Sequence, residues 1–155
     1  PTTGFDLIMT LLARTGIAAY RMVDKESHTM KIIATDKAPA AIGAYSQATV
    51  HQGVVYASGQ IALLPDGTWA GGDVADQAKQ VLSNMEAVLE AAGSSMNDVL
   101  KATIFLADMN DFAAVNAVYG QAFSNHRPAR ECVAAKALPR GAAVEISCIA
   151  RVTPA

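Results

Sequence analysis

The 155 residues of this chain suffice for one domain with a hydrophobic core of its own. Hydrophobic residues make up 52% of the sequence and charged residues only 17%, which leaves apolar surface that copies of the chain can bury against one another. The net charge is −2 and Lys and Arg do not cluster, so a surface that follows nucleic-acid phosphates is disfavoured.

Residues 1–29 have the character of an extension. The apolar run 7–13 is too short to cross a bilayer, Arg14 interrupts it, and no basic residue precedes it as a secretory signal would require. Met30 has the character of the first residue of a domain. We therefore expect residues 1–29 to be an N-terminal extension from an upstream start or an expression vector, with a short packed helix as the alternative, and 30–155 to form the domain.

From Met30 onward the sequence predicts six strands and two helices in the order β-β-β-α-β-α-β-β. Asp73 caps the first helix and Gly93 follows its end, while the second helix begins at Asn110 or Asp111. Two helices can cover only one face of such a sheet, so the other face needs a partner. The predicted strands lie at about 30–34, 46–51, 54–60, 100–106, 131–137 and 142–152.

The two cysteines, Cys132 and Cys148, lie in apolar strand segments and do not form a disulfide framework. A zinc site would need more soft ligands, and only His126 is near in sequence. Dinucleotide, phosphate-loop, serine-hydrolase and zinc-protease motifs are also absent from the sequence. We expect a cytoplasmic protein that uses neither metal nor organic cofactor.

The stretch from Arg127 to Ile146 carries the most information about chemistry. Arg130 follows a proline at the start of one predicted strand, and Glu145 lies in the next, which suggests a hairpin closed by the turn 139–141. An arginine can grip a carboxylate with two donors, and a buried glutamate can hold a proton near neutral pH. Taken singly, each is more often an ordinary strand residue at the surface.

The facing of Arg130 and Glu145 depends on the register of that hairpin. A loop of two or four residues puts both side chains on one sheet face, and a three-residue loop with a glycine bulge puts them on opposite faces. The turn Pro139-Arg140-Gly141 resembles the bulged type. Strand alternation places Glu145 on the face opposite Val144, Ile146, Cys148 and Ala150.

Four segments of the chain, in order and with matching spacing, resemble the RidA (YjgF-type) family of imine/enamine deaminases. The resemblance runs from about Met30 to Val152, and this chain has Ala44 where the family usually has proline. The segments are APAAIGAYSQ at 38–47, SGQ at 58–60, DFAAVN at 111–116 and the stretch 127–146 that begins RPARECV.

The resemblance implies a homotrimer of chorismate-mutase-like α+β subunits, with a site in each interface cleft. It also implies a substrate class, the 2-imino acids and enamines released by pyridoxal-phosphate enzymes such as serine/threonine dehydratase. Arg130 would bind the substrate carboxylate and Glu145 would position or activate water. Other residues would line the pocket: Tyr45, Ser58, Gly59, Asn116 and Cys132.

Three functions remain open from the sequence. The leading hypothesis is a cofactor-free hydrolase that releases ammonia from 2-imino acids. The second is a small-carboxylate-binding or chaperone-like trimer without turnover, for which Arg130 would suffice and Glu145 would have little use. The third, an RNA-cleaving translation inhibitor, is a role attached to this family, but the acidic net charge disfavours it.

Overall fold

The computed structural model of the protein describes residues 29–153, which form a six-stranded mixed sheet and two helices. The expected extension at 1–29, and the alternative of a packed helix there, lie outside the described residues apart from Thr29. The elements in chain order are β1 Lys31–Ile33, β2 Ala48–His51, β3 Val54–Gln60, α1 Val74–Ala91, β4 Val99–Leu106, α2 Phe112–Ala122, β5 Ala129–Ala134 and β6 Val144–Arg151.

The expected hairpin between the last two strands is wrong. The strand order in the sheet is β1-β2-β3-β6-β4-β5, so β4 lies between β5 and β6. β5 runs parallel to β4, and β6 pairs antiparallel with both β3 and β4. The reason lies in the connection, because a helix between two strands returns the chain in the same direction and favours a parallel pair. The turn at Pro139–Gly141 therefore sets no hairpin register.

Helix α1 follows the sequence signals closely. The side chain of Asp73 accepts a hydrogen bond from the backbone N–H of Asp76, which caps the first turn. At the other end Gly93 has φ +73°, a left-handed conformation that glycine adopts without steric cost. No helix in the part of the chain described here is long and apolar enough to cross a membrane.

The core lies between the two helices and one face of the sheet. On β6 the buried residues Val144, Ile146, Cys148 and Ala150 alternate with partly or fully exposed ones, as predicted from the strand period. The opposite face of the sheet has no helix over it among the described residues, and Tyr56 on β3 is 50% exposed there. This uncovered face combines apolar and polar side chains: Tyr56, Lys101, Thr103, Phe105, Glu131, Val133, Glu145, Ser147 and Ile149.

A buried aspartate fastens the start of β4 to the end of β6. Asp98 is 5% exposed and accepts hydrogen bonds from the Ser95 hydroxyl at 2.7 Å, the Thr153 hydroxyl at 2.7 Å and Arg151 Nε at 2.8 Å. These bonds favour the charged carboxylate and lower the pKa of Asp98 from its usual 3.8 to about 2. The cluster joins two neighbouring strands at the end of the sheet away from Glu145.

We predict that Asp98→Asn lowers the free energy of unfolding by roughly 2 kcal/mol at neutral pH, because the three donors lose a charged acceptor at a buried position. Because the pKa of Asp98 is lower in the folded chain than in the unfolded chain, its carboxylate stabilises the fold fully above pH 3.8. This stabilisation is lost as the pH falls from 3.8 to about 2. The difference between wild type and variant should therefore narrow between those pH values. Denaturant titrations across this range measure it, with the exposed Asp36→Asn as control; equal losses in both variants would contradict the assignment.

Candidate active site

A cleft of about 380 Å³ opens beside Glu145. It is bounded by the loop before β2, the end of β3 and the start of β6. Four residues singled out from the sequence line it together: Tyr45, Ser58, Gly59 and Glu145. Most of the remaining lining is apolar and consists of Pro39, Ala40, Ile42, Ile61, Leu63 and Pro139. The cleft thus surrounds one carboxyl group with apolar surface.

A bulge in β3 brings the backbone against this carboxyl group. The register between β3 and β6 shifts between Ala57 and Gln60, where one extra residue is accommodated on β3. Gly59 lies in this bulge, and a Cβ atom built on it would overlap the Glu145 carboxylate and lie 3.0 Å from its Cγ. Only glycine allows the carboxyl group to rest directly on the β3 backbone.

The environment of Glu145 favours its neutral form. The side chain is partly buried, and this burial raises the pKa of Glu145 above its usual 4.5. No side-chain hydrogen bond or ion pair within residues 29–153 offsets that effect. A carboxyl group with a raised pKa can accept and return a proton nearer to neutral pH than an exposed one.

The loop that carries Tyr45 is fixed by a buried amide. Gln47 is 3% exposed, and its Nε2 donates to the carbonyl oxygens of Thr35 at 3.0 Å and Pro39 at 2.8 Å. Its Oε1 accepts from the Thr35 backbone N–H at 2.6 Å. Tyr45 itself is 50% exposed at the mouth of the cleft, next to Ala44. Gln47 therefore sets the shape of the cleft wall through backbone groups alone.

A second cleft contains the arginine. It lies beside α2 and the start of β5, and Arg130 Nη1 donates to Asn116 Oδ1 at 2.8 Å there. The guanidinium carbon of Arg130 lies 4.8 Å from the ring centroid of Tyr119 and 5.7 Å from that of Phe112. Cation–π contacts of this kind hold the planar group over the rings. The other donors of the arginine have no hydrogen-bond partner in the part of the chain that the structure describes, and their direction is fixed by these contacts.

Two further groups on this side have raised pKa values. Burial raises the pKa of Cys132, two residues beyond Arg130 on the same face of β5, and the arginine partly offsets the rise. Burial likewise raises the pKa of Tyr119 to about 12, with Arg130 again acting in the opposite direction. Both groups are therefore neutral at physiological pH and act as packing surface around the arginine.

The two clefts lie on opposite faces of the sheet within one subunit. Arg130 pairs across β4 with Ala102, and Glu145 pairs with Phe105, three positions further along the same strand. Successive side chains of a strand alternate between faces, so an odd separation puts the arginine on the helix-covered face and the glutamate on the uncovered one. The structure brings seven predicted residues into two separate groups, one with Glu145, Tyr45, Ser58 and Gly59, the other with Arg130, Asn116 and Cys132.

Sequence reasoning missed several residues that shape these clefts. Gln47 ends the segment 38–47 but was given no role. Its burial, which reveals its role, cannot be read from the sequence. Phe112 and Tyr119 on α2 also support Arg130, and the sequence alone does not reveal these contacts. Within the described range, no group of three or more His, Cys, Asp and Glu side chains is arranged to hold a metal ion.

The structure defines a small α+β domain with a six-stranded sheet, a glycine-backed glutamate in one cleft and an oriented arginine in another. The chain belongs to the family described as Endoribonuclease L-PSP, the RidA (YjgF-type) family, whose model matches residues 35–152. The resemblance found in the sequence is thereby confirmed.

Relatives and solved structures agree with this membership. A RutC family protein of Synechocystis sp. is 54% identical over 125 residues, 79% of this chain and 96% of the relative. The 2-iminobutanoate/2-iminopropanoate deaminase of Bos taurus is 50% identical over 121 residues, 77% of this chain and 88% of that protein. The crystal structure of E. coli TdcF with bound serine superposes with a TM-score of 0.75 at 43% identity and covers 79% of this chain and 99% of TdcF.

We predict that Gly59→Ala displaces the Glu145 carboxyl group and lowers its pKa, because the new methyl group pushes it out of the buried position that raises the pKa. An NMR titration of the glutamate side chains measures the change. Gly120→Ala is the matched control, since a Cβ there meets nothing within 4 Å. An unaltered Glu145 titration in Gly59→Ala would show that the close approach has no electrostatic consequence.

Proposed function

We propose that this protein is a cofactor-free deaminase that hydrolyses 2-imino acids and their enamine tautomers to 2-keto acids and ammonia. The observation that carries the proposal is the presence on one chain of an oriented arginine and of a partly buried carboxyl group with a raised pKa. Relatives that are named 2-iminobutanoate/2-iminopropanoate deaminase support the same substrate class. The catalytic domain would comprise residues 30–155, preceded by an extension at 1–29.

Arg130 would bind the substrate carboxylate. A carboxylate accepts two parallel hydrogen bonds from a guanidinium fork, which fixes both its position and its plane. The bond to Asn116 and the contacts with Phe112 and Tyr119 limit the rotation of the arginine. Most of the conformational entropy of the arginine side chain is therefore already lost before the substrate binds, which lowers the entropic cost of binding. Cys132 would complete the wall beside the bound acid.

Glu145 would move the protons. The carbon of a protonated imine is already electrophilic, so water needs only a position and an acceptor for its proton. As the water oxygen bonds to this carbon, Glu145 takes the proton and then returns it to the nitrogen. The C–N bond then breaks as the keto C=O forms. The hydroxyl proton passes to Glu145, and ammonia takes it up as it leaves. Tyr45, Ser58 and Gly59 would hold the substrate and the water in the cleft, and no step requires a metal or cofactor.

The complete site would require two copies of the chain. Arg130 and Glu145 lie on opposite faces of one subunit, so neither can reach a substrate held by the other. The uncovered sheet face gives a surface through which a neighbouring copy can bring its arginine cleft to the glutamate cleft. We therefore propose a homotrimer of chorismate-mutase-like subunits, with one site at each of three equivalent interfaces.

A non-catalytic binding protein is the second candidate function. Such a protein would need the arginine cleft. It would gain nothing from the Glu145 carboxyl group, which can lie against β3 only because Gly59 has no side chain. An endoribonuclease, the activity in the family's description, would need cations that follow a phosphate chain, and the net charge of −2 disfavours it. The proton-transfer chemistry of Glu145 therefore favours the deaminase over a binding protein, and the net charge favours it over an endoribonuclease.

We predict that Glu145→Gln lowers turnover by about 100- to 10,000-fold, the usual contribution of general acid–base catalysis, while a 2-keto acid still binds. In the wild type, activity should fall as the pH drops through the raised pKa of Glu145, because the base becomes protonated. A serine or threonine dehydratase coupled to this protein supplies the imine, and keto-acid formation gives the rate. Glu86→Gln, exposed on α1, is the control; wild-type turnover in Glu145→Gln would exclude the mechanism.

We predict that Arg130→Lys loses most activity, by roughly tenfold or more, because a single ammonium cannot reproduce two parallel hydrogen bonds to a carboxylate. The loss should appear mainly as a higher KM in the dehydratase-coupled assay. Arg140→Lys is the matched control, since this exposed arginine makes one side-chain hydrogen bond, to the Gly67 carbonyl oxygen at 3.2 Å. Full activity in Arg130→Lys would remove the arginine from the site.

We predict that two inactive variants, Arg130→Ala and Glu145→Gln, recover activity when their subunits are mixed by co-expression. With random assembly, about a quarter of the interfaces join an intact arginine from one chain to an intact glutamate from the other. Turnover per site should then rise to about that fraction of the wild-type value. Light scattering of the same sample gives the assembly state, and a stable monomer, or no recovery in mixed oligomers, would contradict a shared site.

A further inference from the structure

A second arginine lines the cleft that contains Arg130. Arg127 lies three residues earlier, in the segment between α2 and β5, and both arginines line the same space together with Asn116, Tyr119 and Phe123. The deaminase mechanism proposed above uses only one of these cations. The other has no role in binding a substrate with a single carboxylate.

No carboxylate of residues 29–153 forms an ion pair with Arg127. Among residues 29–153 its side chain takes part in none of the three ion pairs and in no side-chain hydrogen bond. The residues that line the cleft include no carboxylate: Asn116, Tyr119, Gly120, Phe123, Arg127, Pro128 and Arg130. Two like charges that share a cleft without a counter-charge repel each other, and an anion that bears two charges relieves this repulsion.

The backbone fixes the spacing between the two cations. Three peptide units separate Arg127 from Arg130, so their Cα atoms are at most about 11 Å apart. Pro128 between them fixes its own φ and confines Arg127 to extended conformations. The guanidinium group of Arg130 is held by Asn116, while that of Arg127 is exposed and can turn toward a bound molecule. Within this limit both guanidinium groups can reach the two carboxylates of one four- or five-carbon acid.

We propose that Arg127 makes this protein prefer 2-imino acids with a second carboxylate, that is, the imines of acidic amino acids. The inference rests on the proposed deaminase function and adds a substrate class to it. Arg130 binds the carboxylate next to the imine carbon, and Arg127 binds the carboxylate at the end of the side chain. Apolar 2-imino acids use the first contact alone and gain nothing from the second.

The test compares two imines in the presence of wild type, Arg127→Ala and Arg127→Lys. Amino-acid oxidases generate the imines of aspartate and of alanine in place, and the rate of keto-acid release above the spontaneous rate gives a ratio of kcat/KM values. An exposed ion pair contributes up to about 1 kcal/mol, so Arg127→Ala should lower the ratio roughly fivefold. The alanine-derived imine should be affected less than about twofold, and Arg127→Lys should keep most of the preference.

A binding measurement makes the inference independent of turnover. The corresponding keto acids, oxaloacetate and pyruvate, should inhibit with a preference for the dicarboxylate that Arg127→Ala reduces by the same factor. Raising the salt concentration should weaken this preference, since exposed charges are screened over about 10 Å at 0.1 M. Inorganic phosphate serves as a simple dianion for comparison.

The outcomes separate the two proposals. An unchanged ratio of the two keto-acid inhibition constants in Arg127→Ala would overturn the inference, even if both imines are hydrolysed. Phosphate inhibition that equals that of oxaloacetate and depends equally on Arg127 would also overturn it, because the site would then select charge without recognising a dicarboxylate. Absence of any imine turnover, combined with an Arg127-dependent preference for oxaloacetate, would refute the deaminase and leave the dicarboxylate specificity standing.

Discussion

The alternation of side chains along β4 is the constraint on which the site depends. Ala102 faces the helices and Phe105 faces away from them, and each is paired with a residue to which we assign a role in the reaction, Arg130 or Glu145. A full layer of hydrogen-bonded backbone therefore lies between the cation and the carboxyl group of one subunit. This separation protects each group from neutralising the other, and it makes any substrate that needs both groups depend on contact between copies of the chain.

The same separation explains the electrostatics of Glu145. Within one subunit the carboxyl group rests against Gly59 in a largely apolar cleft, and burial raises its pKa with no cation nearby to oppose it. In the assembled site that we propose, Arg130 of a neighbouring copy would lower this pKa. The two effects then act in opposite directions, and the charge of the substrate shifts the balance further, because a bound carboxylate compensates the arginine before proton transfer begins.

The sequence predicted local elements well and long-range geometry poorly. The capped helix α1 and the buried alternation of β6 follow from short-range rules that act within a few residues. The pairing of β5 does not, because its partner is chosen by a crossover helix and not by the turn at Pro139–Gly141. The hydrogen bonds of Gln47 to the loop before β2 and the aromatic contacts of Arg130 could not be predicted either. Both join groups that come close together only in the folded chain.

A site divided between two faces also has a consequence for the timing of activity in a cell. A newly synthesised chain would fold with the carboxylate-binding arginine on one face and the proton acceptor on the other. It would be inactive until it assembled with other copies. Output would then rise more steeply than protein level at low expression and become proportional to it once assembly saturates. The amount of protein, and not an added regulator, would set the threshold at which the chain begins to work.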